Sequence, residues 1–351
     1  MVPEARGEAG DDLMTKAEIR DWIERFPEFR VAVVGDVILD QYIWGHATRI
    51  SPEAPVPIVR VARRNFALGG AANVMRNIAS VGATALAFGV VGQDENAGEF
   101  RNLCEQWQIS TEGLVTAPER KTTVKVRVIS DNQQIVRIDE ESDEPIGSDL
   151  VDEMVRRLRT AIDEGRVDAV ILEDYHKGVL VPGLVDATLQ ICRDKGIPVS
   201  LDPHPGNPFP INGLRVMTPN RAEAFALAGC FHQEPIWPLT EDEHLLEVGR
   251  RLQERYDPSI LLITLGAGGM ALFEDSGTPL HIPTVAKEVF DVSGAGDTVI
   301  AICSLALLAG ADARQAAVLA NHAAGVVVAK LGTVPVSRQE LMDRLREDSE
   351  G

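Results

Sequence analysis

The sequence Asp-Val-Ser-Gly-Ala-Gly-Asp-Thr at residues 291–298 leads directly into 299–309, the longest apolar run of the chain. Its glycines allow a tight turn with exposed backbone N–H groups, and the apolar run predicts a buried helix behind the turn. Because a helix carries partial positive charge at its N-terminus, the two features together predict an anion site. Asp297 lies at the mouth of this site, where a carboxylate can take a proton from a substrate hydroxyl while the N–H groups stabilise a migrating phosphoryl group. The alternative is an Asp that only caps the helix, behind glycines needed only for the turn.

On either side of this segment, short apolar stretches alternate with stretches of helical periodicity. After residue 150, strands are predicted at 169–172, 199–201, 216–217 and 260–264, with helices around 151–162, 184–191 and 245–252. Before residue 150, strands are predicted at 31–34 and 84–91, with a helix opened by Gly69-Gly70 between them. This alternation implies right-handed β-α-β units and a mostly parallel sheet. Three further strands, at 58–61, 122–129 and 133–138, break the alternation and predict a small antiparallel sheet beside the main one, the last two joined by a turn at 131–132.

The composition excludes several classes of protein. The 351 residues include 34 Lys and Arg against 53 Asp and Glu, so the formal charge at pH 7 is −19. This balance argues against a partner that is nucleic acid or an anionic membrane surface, although a local basic pocket still permits an anionic substrate. Residues 1–16 lack the apolar stretch of a signal peptide, and the run at 299–309 is shorter than the ~20 residues that cross a bilayer. The four cysteines are far apart, with neither zinc-site nor disulfide spacing, so we expect free thiols and a cytoplasmic location.

The familiar nucleotide-binding strings are absent from the sequence. Neither G-x-x-x-x-G-K-[ST] nor G-x-G-x-x-G occurs, and Gly-Ala-Gly-Gly at 266–269 lacks the required spacing. The chain therefore resembles neither a P-loop NTPase nor an ordinary dinucleotide-binding protein.

The segment 291–298, together with Gly-Gly-Ala-Ala-Asn at 69–73, resembles the two signatures of ribokinase-like (PfkB) carbohydrate kinases. Further strings resemble the bacterial D-glycero-β-D-manno-heptose-7-phosphate kinases, which act in making ADP-heptose for lipopolysaccharide cores. These strings are Gly35-Asp36 with Asp40, the segment 49–57, Gln133-Gln134 with Arg137, Thr218-Pro219-Asn220, and Glu288-Val289-Phe290. The resemblance runs from about Arg30 to about Pro335.

The resemblance implies a ribokinase-like α/β fold, in which helices flank a mostly parallel central sheet and a small antiparallel β lid closes over the sugar. We expect an N-terminal extension at 1–28, a kinase domain at 29–340 with lid strands near 40–64 and 120–140, and an acidic tail at 341–351. The implied activity is transfer of the ATP γ-phosphoryl group to O1 of D-glycero-D-manno-heptose 7-phosphate, giving the 1,7-bisphosphate. The alternatives are a PfkB kinase for another sugar or sugar phosphate, and a non-catalytic regulator that binds sugar or nucleotide.

The resemblance also assigns roles to individual residues. Asp297 matches the catalytic base, and the N–H groups of Gly294, Ala295 and Gly296 match its anion hole. The residues matched to the sugar side are Asp36, Asp40, Gly69, Gly70 and Asn73, with Arg137 and Lys177 among the cations available for a sugar phosphate. Asp36 also fits a simple turn at the end of a strand.

On the nucleotide side, Asn220 and Glu223 match the family's N-x-x-E string, in which Glu223 acts on Mg²⁺ through water or phosphate. On spacing alone the string fits an ordinary helix cap equally well. Thr264, Gly266 and Gly269 match the nucleotide-side strand and loop, and Asn321 matches a residue at the edge of the adenine pocket. The implied cofactors are ATP and Mg²⁺, and some relatives also hold a monovalent cation near the position of Asp291. In this family the lid also helps to form homodimers, so a homodimer is the expected assembly.

Two strings depart from the heptose kinases. Those enzymes usually read S-D-Y-G-K-G where this chain has Glu-Asp-Tyr-His-Lys-Gly at 173–178, and D-P-K where it has Asp202-Pro203-His204. A lysine lost there removes a permanent positive charge, because histidine is only partly charged at neutral pH. Bifunctional relatives also carry a nucleotidyltransferase domain with an H-x-G-H string, which does not occur here, so we expect another protein to perform any nucleotidyl transfer.

Overall fold

The computed structural model of this protein describes residues 15–131, 133–208, 211–274, 279–286, 289–330 and 332–347. Some of the predicted features lie outside these residues: 1–14 of the N-terminal extension, Asn132 of the turn, Glu288 of its motif, and 348–351 of the tail.

Strands and helices alternate along most of the described chain. The strands are β1 (Arg30–Gly35), β2 (Val37–Ile50), β3 (Pro57–Gly70), β4 (Thr84–Val91), β5 (Ser110–Thr116), β6 (Val124–Ser130), β7 (Gln133–Glu140), β8 (Ala169–Glu173), β9 (Val199–Asp202), β10 (Val216–Met217), β11 (Ile260–Thr264), β12 (Met270–Phe273) and β13 (Leu280–Ile282). The helices are α1 (Lys16–Arg25), α2 (Ala71–Ser80), α3 (Glu95–Gln106), α4 (Ser148–Asp163), α5 (Pro182–Lys195), α6 (Arg221–Leu227), α7 (Glu243–Tyr256), α8 (Ala295–Leu308), α9 (Ala313–Val328) and α10 (Arg338–Glu347).

The large sheet has the strand order β13-β12-β11-β10-β9-β8-β1-β4-β5. From β11 to β5 every neighbouring pair is parallel, and β12 and β13 add two antiparallel pairs at one edge. In β1, Val31 and Val33 belong to the core on one face of the sheet, while Ala32 and Val34 belong to the core on the other. Strands covered on both faces are apolar along their whole length, which explains the continuous apolar runs of the sequence. The predicted α/β fold with a mostly parallel sheet is confirmed.

A second, four-stranded sheet has the order β3-β2-β6-β7. The pairs β2–β3 and β6–β7 are antiparallel, whereas β2 and β6 run parallel where the two hairpins meet. Parallel pairing is possible there because the chain crosses through β4 and β5 of the large sheet between the hairpins. Every described residue of β7 is exposed, so one margin of this sheet faces outward. The residue pattern alone did not predict β2, because its sequence around 41–46 lacks regular alternation of apolar and polar residues. Only the family resemblance placed lid strands near 40–64, a range that includes most of β2.

Both predicted end segments contribute a helix. Within the predicted extension, Thr15 caps α1, and Ile19, Trp22 and Ile23 are buried in the core. At the other end, α10 crosses the predicted boundary at residue 340, and Leu341 is fully buried. The assignment of these segments as an extension and a tail stays a prediction.

The described ranges contain no helix that is both long and apolar enough to cross a membrane. Cys104, Cys192 and Cys303 are buried free thiols, and Cys230 is a half-buried one, as predicted.

Candidate active site

Three acidic side chains meet where β8 and β9 end and α8 begins. Glu173 and Asp202 are the last residues of their strands and are register partners in the parallel pair. Asp297 lies in the first turn of α8, which Gly294 precedes in the left-handed conformation, with φ of 80°. One carboxylate oxygen from each of the three lies within 4.8 Å of the other two. The topology thus places the predicted base at the carboxyl edge of the sheet, where ligands of such sheets bind.

Asp297 is held in one orientation by two donors. The amide nitrogen of Asn73 donates to Oδ2, and the hydroxyl of Tyr175 donates to Oδ1 at 2.8 Å. Asn73 is itself fixed by Arg76, whose guanidinium donates to the Asn73 amide oxygen at 2.6 Å and also to the Thr333 carbonyl. Burial raises the pKa of Asp297, while the hydrogen bonds from Asn73 and Tyr175 and the charge of Arg76 oppose that rise. The result is an oriented carboxylate with increased basicity, which suits a general base.

The turn at 291–294, called the glycine turn below, requires a glycine at position 294 for a steric reason. A Cβ on Gly294 would lie 2.6 Å from the Asn73 amide nitrogen, closer than real contacts allow. The carboxylate of Asp291 fixes the turn by accepting N–H groups from Ser293 at 2.9 Å and Gly332 at 3.1 Å. The Ala295 N–H donates to the Val292 carbonyl at 3.2 Å, so this member of the predicted anion hole is engaged within the turn. The anion hole and the monovalent cation beside Asp291 stay predictions.

Asp36 anchors the loop that carries Tyr175. Its carboxylate accepts backbone N–H groups from Tyr175 at 2.9 Å, Lys177 at 3.0 Å and Val179 at 3.1 Å. Asp36 therefore has a structural role at the end of a strand, because its carboxylate holds the loop after β8 against the end of β1. Its predicted contact with sugar hydroxyls remains a separate prediction.

The predicted sugar-side residues of β2 and β3 lie against one another. Asp40 is buried and accepts a hydrogen bond from Arg127 of β6. A Cβ on Gly69 would lie 2.5 Å from Asp40 Oδ2, and a Cβ on Gly70 would lie 2.6 Å from the Asp36 carbonyl. Glycines are needed there because the backbone of β3 passes directly over both acids.

Arg137 and Lys177 do not line the cavity that holds Asp297. Arg137 is exposed on β7 and forms a bidentate ion pair with Asp139, with nitrogen–oxygen distances of 2.8 and 2.9 Å. Lys177 Nζ lies 2.7 Å from Glu141 Oε1. Both were predicted to bind a sugar phosphate because of the family resemblance. The structure places both beside the small sheet.

A cavity of about 670 Å³ extends from Asp297 across the ends of the strands. At one end lie polar groups, including Glu173, Asp202 and Asp297 with the glycine turn. Towards the β12 edge of the sheet, three strands beyond β9, the lining is mostly apolar, with Met270 of β12 and Ala324 and Val328 of α9. All the predicted nucleotide-side residues line it: Asn220, Glu223, Thr264, Gly266, Gly269 and Asn321. Residues separated by a hundred positions in sequence are therefore brought to one cleft with a polar and an apolar end, the shape that a nucleotide requires.

Asn220 and Glu223 form a reciprocal cap at the start of α6. The Glu223 N–H donates to Asn220 Oδ1 at 3.0 Å, and the Asn220 N–H donates to Glu223 Oε2 at 2.8 Å. The helix-cap interpretation is thus correct, and the same two side chains also line the cavity. Asn321 is positioned by its own contact, since its amide nitrogen donates to the Pro283 carbonyl at 2.7 Å.

Sequence reasoning missed Tyr175 and Arg76 as members of the site. Tyr175 belongs to the segment 173–178, which was noted only because it differs from the heptose kinases. Nothing in that segment shows that the Tyr175 hydroxyl reaches Asp297. Arg76 follows Asn73 by three positions, which places both on one helix face. The available signal was that Arg76 is the one charged residue of this helix.

The two histidines that differ from the heptose-kinase motifs stack on each other. The rings of His176 and His204 lie with centroids 5.2 Å apart and planes at 10°. Burial lowers the pKa of His204, and the neighbouring His176 and Lys177 lower it further. His204 lines the cavity, so the expected lysine charge is replaced there by a ring that is largely neutral at pH 7.

The raised pKa values of the acids in the cavity make the folded protein less stable as the pH rises. Burial raises the pKa of Glu173 and of Asp202 well above their ordinary values, and each is raised further by neighbouring carboxylates; that of Asp174 rises to about 6. In the folded protein these groups bind protons more tightly than in the unfolded chain, so they make stability fall as pH rises from about 4 through 6 and above. We expect the thermal midpoint of the chelator-treated protein to fall less between pH 5 and 7 in Glu173→Gln than in the wild type. Parallel pH profiles of the two proteins would contradict this assignment.

Comparison with known proteins gives a consistent result. The pfkB family of carbohydrate kinases matches residues 28–339. The bifunctional protein HldE of Citrifermentans bemidjiense is 42% identical over 329 residues, covering 94% of this chain and 66% of that protein. The bifunctional protein HldE of Geobacter sulfurreducens is 44% identical over 313 residues, covering 89% of this chain and 62% of that protein. The chain thus spans somewhat under two thirds of the length of these relatives.

Solved structures share the fold at low sequence identity. Arabidopsis thaliana ribokinase, complexed with ribose and ATP, superposes with a TM-score of 0.66 at 20% identity, covering 90% of this chain and 98% of that one. Escherichia coli phosphofructokinase-2, in complex with potassium, gives a TM-score of 0.69 at 17% identity, covering 92% of this chain and 99% of that one. At these identities the likeness establishes the ribokinase-like fold and no more.

Proposed function

This chain belongs to the pfkB family of carbohydrate kinases, and from that premise we propose that it transfers the γ-phosphoryl group of ATP to O1 of D-glycero-D-manno-heptose 7-phosphate. The family is the one that the motifs predicted, so that prediction is confirmed. The observation that carries the proposed chemistry is the Asp297 carboxylate, buried, doubly hydrogen-bonded and set at the N-terminus of α8.

Asp297 would act as the base. It accepts the proton of the sugar hydroxyl as the hydroxyl oxygen forms its bond to the γ-phosphorus and the bond from that phosphorus to the leaving oxygen of ADP breaks. Asn73 and Tyr175 hold the carboxylate in position before the acceptor arrives, which lowers the cost of orienting it during the reaction. The N–H groups of Gly296 and Asp297, in the first turn of α8, would stabilise charge on the phosphoryl group, whereas that of Ala295 is engaged by the Val292 carbonyl.

ATP fits the cavity in one direction. The apolar end, near Met270 and Asn321, suits the adenine, and the polar end brings the phosphates to the glycine turn and Asp297. The carboxylates in this cavity suit Mg²⁺, a hard cation that prefers oxygen ligands. Glu223 would hold it through water or phosphate, and the ion, when bound, neutralises phosphate charge.

The acceptor assignment rests on the heptose-kinase motifs and on the HldE relatives. The small sheet offers three cations for an anionic acceptor: Lys125, and Arg127 and Arg137, which a phosphate would draw from their ion pairs with Asp40 and Asp139. Burial lowers the pKa of Lys125, and the nearby charges of Lys177 and Arg137 lower it further. A phosphate on the sugar could draw on this positive group while its O1 faces Asp297.

ADP release with a panel of acceptors tests the proposal. The panel contains D-glycero-D-manno-heptose 7-phosphate, fructose 6-phosphate, ribose, fructose and an acceptor-free control, each repeated with Asp297→Ala. We expect kcat/KM on the heptose phosphate to exceed every other value by at least about tenfold. A preference for another acceptor would assign the changes at Glu173, His176 and His204 to altered specificity. No ADP release with any acceptor of the panel would contradict the proposed reaction and favour a sugar- or nucleotide-binding regulator.

The expected homodimer would form through the small sheet. The outer strand β7 exposes Ile135, Val136 and Ile138, and the neighbouring hairpin exposes Ile50 and Val61. A second copy laid on this sheet would cover these apolar side chains, whose exposure costs free energy in water. We expect light scattering to give the mass of two chains and Ile138→Asp to reduce it to one; a single-chain mass for the wild type would contradict the dimer.

A further inference from the structure

The cavity proposed for ATP is lined by a cluster of acidic side chains. Five carboxylates line it, those of Glu173, Asp174, Asp202, Glu223 and Asp297, while none of its described lining residues is Lys or Arg. A nucleotide triphosphate adds several more negative charges. Because ionised carboxylates that share one partly dry cleft repel one another strongly, either protons or cations from outside the chain have to neutralise them.

Glu173 has a carboxylate oxygen that is buried without a partner. It is 1% exposed, and its Oε2 is fully buried with no hydrogen-bond partner. Asp174, the next residue, differs in this respect because its carboxylate accepts from the His176 N–H at 2.8 Å and the Asn207 amide at 3.0 Å. A buried, unpartnered carboxylate oxygen is costly unless an ion or a proton occupies the space beside it.

The positions of Glu173 and Asp202 are rigid. Both are held by the β8–β9 ladder, and the Asp174 N–H donates to the Asp202 carbonyl at 3.1 Å. One oxygen of each, with one of Asp297, lies within 4.8 Å of the others. Two oxygens on opposite sides of one ion are about 4.2 Å apart for Mg²⁺ and about 4.6–5.2 Å for Ca²⁺. The 4.8 Å limit therefore lies within the span of Ca²⁺, and a cation the size of Mg²⁺ reaches the set after a side-chain shift of at most about 0.6 Å.

We propose that Glu173 and Asp202 bind one divalent cation of the Mg²⁺ class beside Asp297, and that they do so without nucleotide. This site is distinct from the cation that Glu223 would hold through nucleotide phosphate. It goes beyond the proposed function, since it depends on neither the acceptor nor the turnover of ATP. The hard oxygen set favours Mg²⁺, Mn²⁺ or Ca²⁺ over metals that prefer nitrogen or sulfur.

Mn²⁺ titration of the nucleotide-free full chain tests the site, with free Mn²⁺ followed by electron paramagnetic resonance. After chelator treatment, we expect the wild type to bind one Mn²⁺ per chain at pH 7.5, and Mg²⁺ to compete for it. Glu173→Gln should weaken this binding at least tenfold. Asp174→Asn, which removes the same charge one residue away, should stay within threefold of the wild type, as should Glu223→Gln.

Thermal unfolding gives a second readout and confirms that each variant folds. At the same Mn²⁺ concentration, the midpoint should rise in the wild type and in Asp174→Asn, and should rise clearly less in Glu173→Gln. Three results would each overturn the proposal: no Mn²⁺ bound by the wild type, equal binding by Glu173→Gln, or equal losses in Glu173→Gln and Asp174→Asn. Binding lost in Glu223→Gln alone would also overturn it, by assigning the ion to the nucleotide site. None of these results depends on sugar phosphorylation, so failure here is distinguishable from failure of the proposed reaction.

Discussion

Asp297→Asn is expected to lower kcat by at least about 100-fold while leaving the fold intact. The amide keeps the size of the carboxylate and can still accept a hydrogen bond from Tyr175, but it cannot take the proton of the sugar hydroxyl. Steady-state ADP release measures the loss, and calorimetry with ATP should give a dissociation constant within about threefold of the wild type, because the base contacts the acceptor rather than the adenine.

Asp312→Asn is the matched control for this variant. Asp312 is also an acid at a helix N-terminus, and its Oδ1 accepts the Gln315 N–H at 2.8 Å at the start of α9. If Asp297 were only a helix cap, the two asparagine variants would behave alike. Turnover by Asp297→Asn within a few-fold of the wild type would remove the residue from its catalytic role.

Gly294→Ala is expected to give the second largest loss. Gly294 has a φ of 80°, so any side chain there costs about 1–2 kcal/mol of backbone strain. The added Cβ would also lie 2.6 Å from the Asn73 amide nitrogen, which must move and release the hydrogen bond that orients Asp297. Since misplacing a catalytic group by about 1 Å can cost about 100-fold, we expect kcat to fall by about 10- to 100-fold.

Gly165→Ala separates the two effects. Gly165 also has a positive φ, of 65°, but a Cβ there meets nothing within 4 Å. Chemical denaturation should therefore show a loss of stability in both variants, larger in Gly294→Ala, whereas ADP release should fall only in Gly294→Ala. Equal kcat values in the two variants would contradict the proposed link from the glycine turn through Asn73 to the base.

The large sheet could be predicted from the sequence because each part of the signal is local. Strands covered on both faces appear as apolar runs, and the helices between them show a period of 3.6 residues. The small sheet was predicted less completely. The hairpin β6–β7 alternates regularly and was recognised, whereas β2 lacks alternation, and its parallel pairing with β6 joins segments that no local pattern connects.

At the site, the sequence 291–309 by itself determined three features: a glycine turn, a buried helix behind it and an acid at the start of that helix. It could do so because these features depend on residues that are neighbours in the chain. The separated motifs together also determined the family. Only the tertiary structure decided what surrounds that acid: Asn73 lies 224 positions away and Tyr175 122 positions away, and both donate to Asp297. It also decided that Asp36 accepts the N–H groups of a loop, that Arg137 lies away from the cavity, and that Glu173 Oε2 is buried without a partner. Such contacts depend on which strand ends become neighbours in the folded sheet, and the chemistry of a site depends on those distances.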